Sequence, residues 1–244
     1  MLLRREPLVV ISLDNVVENG RKLKALLLSY AGRALDAEHA TTFCEWVDSK
    51  VTFPVTTVDR ITPSVGNDAD GLIVMAEPYR SLIIEECPGL SACQLFQGAG
   101  VQFVSDVAPH WRAKSLVVNG GHLILGVLGA KRQYEFAHES AKDPEILELL
   151  TGCHEEYNVL AAEATSEYCA TTRARFANHA LQDRVPRLLE NADDKVAERL
   201  ICPALEYHKA SALERHPFCS RMACHKCIVI CHPKTWITCP RLSD

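Results

Sequence analysis

The apolar positions change period once along the chain. Pro7 to Leu13 (PLVVISL) is a continuous β-branched run, the pattern of a strand buried on both faces of a parallel α/β sheet. Asp14 and Asn15 end it. From Glu18 to Tyr30, Leu23, Leu26, Leu27 and Tyr30 recur at helical spacing, so strand, polar turn and helix make half of a βαβ unit. Ala40 to Asp48 reads as a second helix. Val51 to Ile61 is β-rich and alternating, with Pro54 marking an edge or irregular extended segment. Thr62 to Gly71 is a loop by its Pro, Gly, Asn and Asp content. Leu72 to Ala76 reads as a short strand, Tyr79 to Glu86 as partly extended, Cys87 to Gly100 as loop and Val101 to Val104 as a last strand. Beyond Pro109 the β-rich runs stop, and 109–132, 144–157, 161–175 and 184–200 all carry helical spacing. The predicted fold class is α/β followed by all-α, with the boundary near Asp106 to Pro109. The predicted domains are 1–108, 109–205 and an atypical tail, 206–244, in which Pro217, Pro233 and Pro240 interrupt any period.

Composition narrows the picture. The chain has 244 residues, 48% of them hydrophobic, enough for one large domain or two small ones. A net charge of -5 gives no reason to expect a nucleic acid or an anionic membrane as partner. No apolar run is read as transmembrane. The N-terminal run contains Asp14 and lacks the long apolar region of a signal peptide, so the cytosol is the expected compartment. The 11 cysteines are odd in number, which argues against a disulfide scaffold. Cys219, Cys224, Cys227, Cys231 and Cys239 crowd the tail. Cys224 and Cys227 form a C-x-x-C, but no second, distant pair of ligands accompanies it, and no metal site is expected.

The candidate chemistry centres on Lys114 to His122, KSLVVNGGH. On an α-helix, counted from Lys114, Asn119 falls at about 140° and His122 at about 80°, so all three address one face. A lysine in a dry pocket works as a general acid or base, and an amide and an imidazole orient an oxygen. On spacing alone, the favoured account is a helix with three polar residues and an awkward Gly120-Gly121 pair. Asp14, Asn15 and Asn19 lie just beyond a strand's carboxyl end, where open α/β sheets bind ligands. A plain helix cap is the alternative for the first two. Asp59-Arg60 reads equally as an exposed ion pair.

Six segments, in order, change that weighting. SLDNVVENG (12–20), TVDRITP (57–63), EPYRSLIIEE (77–86), GVQFVSDVAPH (100–110), K-x-x-x-x-N-x-x-H (114–122) and EYCATTRARFANHALQD (167–183) together resemble the long-chain polyol dehydrogenases, the group of mannitol 2-dehydrogenase and fructuronate reductase (mannonate oxidoreductase). The resemblance implies a Rossmann-type dinucleotide-binding domain, here incomplete, followed by a helical substrate domain. It implies NAD or NADP as cofactor and a polyol or sugar acid as substrate. The reaction would be hydride transfer between a secondary alcohol and its ketose or keto-uronate. Carried over, Lys114 is the acid/base, Asn119 and Asn19 donate to the reacting oxygen with Asn15 as the alternative donor, and His122 bonds a substrate hydroxyl. Asp59 binds another hydroxyl with Arg60 in support, Arg175 meets the far end of the substrate, and Asp14 and Asn15 lie toward the cofactor. No metal is required.

The chain departs from the group's pattern in four places. It has no G-x-G-x-x-G, so it is expected to begin inside the nucleotide-binding domain and to have impaired activity. Trp111 stands where these enzymes carry a glutamate, on the same helical face as Lys114. His179 replaces a usual proline. Nothing after about Leu205 resembles the family, and the tail is expected to reflect a shifted frame or gene boundary. A non-catalytic sugar-binding remnant is the alternative function.

Overall fold

The computed structural model describes residues 6–63, 74–88 and 99–203, together with 90, 96, 206 and 207. The cysteine-rich tail, with its C-x-x-C, and most of the 62–71 loop lie outside the described residues. The chain forms two compact units. The first takes Met1–Arg60 and Arg80–Trp111, the second Ile61–Tyr79 and Arg112–Asp244. The unexpected part is Ile61–Tyr79, which the sequence pattern groups with the α/β half. Two side chains explain its membership of the helical unit: Ile61 is buried in the helical core, and Glu77 pairs with Arg175.

In the first unit, β1 (Leu8–Val9) pairs in parallel with β2 (Val51–Thr52). β3 (Thr56–Asp59), β4 (Ser81–Glu85) and β5 (Val101–Val104) form a mixed sheet, β3 antiparallel to β4 and β4 parallel to β5. The expected doubly buried strand over 7–13 is therefore only two residues long and exposed. Pro54 separates β2 from β3, as a residue without an N–H should. Residues 74–76 form no strand.

α1 (Asn19–Ala34) and α2 (Ala37–Lys50) pack beside β1 and β2. Leu23, Leu27 and Leu28 meet Phe43, Trp46 and the buried Val47, Val51 and Phe53. Leu26 and Tyr30, expected on the buried face, are 67% and 69% exposed. α1 carries more apolar positions than one stripe can use. α2 begins where Asp36 accepts the His39 N–H at 3.0 Å.

α3 (Ala108–Lys114) leads into a π-helical segment, Ser115–Gly120, and then α4 (Gly121–Lys131). The joined run over 108–131 is 24 residues, close to the 109–132 that the sequence pattern suggests, and is long and apolar enough to cross a membrane. Its most apolar window is 78% buried, as expected of a core helix. Leu123, Ile124 and Leu125 are all but fully buried, at about 1.5–3 kcal/mol each. α5 (Ala137–Lys142) is a short helix that the pattern missed, and Glu139 accepts the Phe136 N–H at its start. α6 (Pro144–Leu160) opens with Asp143 accepting from Glu145 and Ile146, and Pro144 sits in its first turn. α7 (Ser166–Phe176) starts later than spacing suggested, because Thr165 caps it. The helix expected over 184–200 breaks into α8 (Val185–Leu188), α9 (Ala192–Val196) and a second π segment, Ala197–Ile201. Asn191, at φ 55°, makes the break between the two helices.

Candidate functional site

The central segment differs from an α-helix where it matters. A π turn closes i→i+5 bonds, so each residue advances roughly 80° instead of about 100°. Counted from Lys114, Asn119 comes to about 40° instead of about 140°, and His122 to about −40° instead of about 80°. On ideal π geometry the three side chains would fall within a narrower arc, with the lysine in the middle. Such segments concentrate at functional sites. Lys114 is only 7% exposed, and Asn119 and His122 are half-buried.

The Gly120-Gly121 pair also has a role. A Cβ on Gly120 would lie 3.2 Å from the Tyr157 hydroxyl. A Cβ on Gly121 would lie 2.7 Å from the Phe176 ring and 3.4 Å from His154 Nε2. The glycines let α6 and α7 close onto the segment that carries the lysine.

His122 sits in a small cleft of the second unit with Arg175, Phe176, His138, Asn178 and Asp183. Its ring lies 4.6 Å from that of Phe176 and its Nε2 3.9 Å from Asp183 Oδ2. Asp183 is buried and held by the Arg187 guanidinium, and its backbone carbonyl accepts the Ala137 N–H at 2.8 Å. A second histidine, His138, has a buried Nδ1 without a hydrogen-bond partner, and burial pulls its pKa down.

Arg175 is in the same cleft but is not poised as expected. Its Nε donates to Glu77 Oε2 at 3.0 Å and its Nη2 to Oε1 at 2.7 Å, and its guanidinium lies 3.9 Å over the Tyr79 ring. Glu77 also accepts the Ile61 N–H at 2.6 Å. The fork that would read a substrate carboxylate already holds a buried protein carboxylate. Glu77 and Tyr79 belong to a segment that the sequence flagged by resemblance alone, without a role.

In the first unit, Asp14 and Asn15 are exposed in the loop beyond β1, and neither caps α1, whose N-cap residue is Glu18. Asn19 is buried. Its amide donates to Asp14 O at 2.9 Å, Thr56 Oγ1 at 2.8 Å and Ser12 O at 3.3 Å, and its oxygen accepts the Thr56 and Gly20 N–H groups. Asn19 therefore braces the loop against β3, and both its amide hydrogens are engaged within the protein. Asp59 is buried at the end of β3 and Arg60 beside it is exposed. Trp111 lines a hollow of the first unit with Arg21, Glu85 and Asp106. No group of three or more His, Cys, Asp or Glu side chains is placed to hold a metal among the described residues.

Known proteins carry the same two parts. Residues 2–93 match the Mannitol dehydrogenase Rossmann domain family and residues 106–220 the Mannitol dehydrogenase C-terminal domain family. The second match runs past Leu205, where the sequence pattern had placed the end of the resemblance. A mannitol dehydrogenase of Saccharomyces cerevisiae is 32% identical over 200 residues, 75% of this chain and 38% of that protein. A mannitol-1-phosphate 5-dehydrogenase of Geobacillus thermodenitrificans is 32% identical over 225 residues, 87% of this chain and 54% of that one. Among solved structures, a substrate-free D-sorbitol dehydrogenase superposes with a TM-score of 0.70 at 26% identity, over 83% of this chain and 44% of that one. Pseudomonas fluorescens mannitol 2-dehydrogenase, in a ternary complex with NAD and D-mannitol, gives 0.62 at 26% identity, over 84% and 44%. The chain thus spans about half, or less, of the length of the relatives it matches. With both of the family's domains matched in order, the chain belongs to the mannitol dehydrogenase family.

Proposed function

We propose that this chain handles the alcohol in an NAD(P)-dependent oxidoreductase that interconverts a polyol or aldonate secondary alcohol with the corresponding ketose or keto-uronate. The observation that carries this is a buried lysine at the end of α3, followed five and eight positions on by an amide and an imidazole across a π-helical segment. Lys114 Nζ takes or returns the alcohol proton. Asn119 donates to the oxygen as charge develops on it. His122 bonds a neighbouring hydroxyl. Asn15 is the alternative donor to Asn19, whose amide is held by Asp14 and Thr56. Asp59, with Arg60 beside it, binds a further hydroxyl. Arg175 orients the cleft through Glu77 instead of reading a carboxylate, which favours a neutral polyol over a sugar acid.

The sequence has no G-x-G-x-x-G turn for a pyrophosphate, and among the described residues the loop at Asp14 and Asn15 is the stretch we assign to a dinucleotide. We derive no step through the nicotinamide. A second reading is a sugar-binding protein without turnover. Purified protein incubated with NADH or NADPH and fructose or fructuronate, followed at 340 nm, tests the first. Turnover that falls at least about 100-fold in Lys114→Ala supports it. Turnover unchanged in Lys114→Ala refutes the lysine's role. Calorimetric binding of mannitol or fructose without turnover supports the second reading.

A further inference from the structure

α7 carries two arginines to two different places. Arg173 and Arg175 are two positions apart, about 200° around a helix. Arg175 enters the cleft of His122, where Glu77 holds it. Arg173 lines another cleft, of about 280 Å³, with Thr151, His154, Glu155, Asn158 and Ser166 of α6 and α7. The two clefts share no residue, and both lie within the second unit.

Arg173 is half-buried, and its Nη1 lies 3.2 Å from His154 Nδ1. A guanidinium only donates, so Nδ1 accepts, and Nε2 carries the ring proton and faces Val117 O at 3.2 Å. The ring is neutral: burial first, and then the Arg173 charge, bring its pKa down to about 4. The arginine is thus anchored on an uncharged acceptor whose side chain is 1% exposed. Among the described residues no carboxylate pairs with Arg173, whereas Arg132, Arg175 and Arg187 each meet one. Of its five N–H donors one is spent on His154, which leaves the parallel Nε and Nη2 donors as a fork. The neighbours suit the same chemistry. Ser166 Oγ accepts from Asn158 Nδ2 at 3.2 Å, so its own hydrogen is left to donate, and Thr151 adds a second hydroxyl. Glu155 is the opposing charge. It is exposed, so water screens it more than the half-buried guanidinium.

We propose that this cleft is a second ligand site, for a small organic oxyanion: a carboxylate or phosphate gripped by the Arg173 fork, with its polar body against Thr151, Asn158 and Ser166. The volume is near the lower end for small-molecule sites, roughly 300 Å³. The site does not rest on the function proposed above, and it is tested without any assay of turnover.

The full chain is titrated with glycerol 3-phosphate and with glycerate, at an ionic strength held constant with potassium chloride. Binding is followed by calorimetry and by ¹⁵N-histidine spectra. A saturable shift of the His154 ring signals is expected, with His122 and His138 unmoved, because an anion on the fork re-aims the N–H that His154 accepts. Either probe binding in this way supports the proposal, and the tighter of the two identifies the head group. Arg173→Gln is expected to weaken binding at least about tenfold. Arg173→Lys keeps the charge but loses the fork, and should weaken it by a smaller factor. Glu155→Gln removes the opposing charge and should tighten binding about twofold. The proposal is overturned if neither probe gives a saturable His154 shift up to about 50 mM, where even a weak site fills. It is equally overturned by binding that moves His122 instead, or by binding unchanged in Arg173→Gln. If Arg173→Gln does not fold, Arg173→Lys and Glu155→Gln decide: shifts in affinity of opposite sign support the proposal, and unchanged affinity in both overturns it. A protein that passes these tests yet never turns over a polyol contradicts the proposed function and leaves this inference standing.

Discussion

His154 makes the helical unit sensitive to mild acid, and the size of the effect can be worked out. The ring's pKa lies near 4 in the folded protein, against an ordinary 6.5. The gap of roughly 2.5 units corresponds to about 3 kcal/mol. Below pH 6.5 the unfolded chain takes up a proton that the folded chain refuses, so stability falls as pH falls from 6.5 to about 4 and levels off beneath that. About 1 kcal/mol is lost by pH 5.5 and about 3 kcal/mol below pH 4. The groups facing the ring are the Arg173 guanidinium and the Cys169 backbone from α7, the Val117 carbonyl, and Tyr157 on its own helix. None of them is an acid that would welcome the imidazolium. Carboxylates elsewhere also cost stability in acid, so the informative quantity is a difference. Urea unfolding of the protein and of His154→Gln is measured from pH 7.5 to pH 4. The substituted protein, with nothing to protonate at this position, should close on the parent by about 3 kcal/mol over that range. A difference between the two that stays constant with pH refutes the buried neutral histidine.

Three further outcomes are expected. Glu77→Ala leaves the Arg175 charge buried beside an empty site and should cost about 3–5 kcal/mol in a denaturant melt, far more than Glu77→Leu combined with Arg175→Met. Gly121→Ala drives a methyl into the Phe176 ring and should cost about 1–3 kcal/mol, with proton spectra showing a shifted His122 ring, because Phe176 stacks on it. Cys169, buried and with its thiol pushed up to about 11, should resist a thiol reagent at pH 8 in the native protein, while the exposed Cys202 reacts. Equal native rates for the two would contradict that burial.

The order of elements was legible in the sequence because helical spacing is a local signal. So was the segment Lys114 to His122, since its residues are near neighbours in the chain. What stayed hidden depends on distant partners. Nothing local says that Leu26 and Tyr30 lose the competition for the buried face of α1 to Leu23 and Leu27. Nothing in KSLVVNGGH announces a π turn. Arg175 and Asn19 were both read as ligands for substrate, and the structure gives each a protein partner that spacing cannot reveal. The glycine pair was visible but misweighted: it looked like a flaw in a helix and is the landing place of α6.

The Glu77–Arg175 pair joins residues 98 positions apart. A ribosome adding about 5–20 residues per second needs roughly 5–20 s to travel that distance. For that interval the segment 61–79 has left the ribosome with a carboxylate meant for burial and no arginine to meet it. The first unit can form its helices and strands early; the borrowed segment must stay open until α7 emerges. A gene fragment beginning at Pro109 never receives Ile61 or Glu77 at all, and leaves Arg175 as a buried cation without its counterion. The helical unit is in this sense discontinuous in the gene, and its smallest expressible form begins before residue 61.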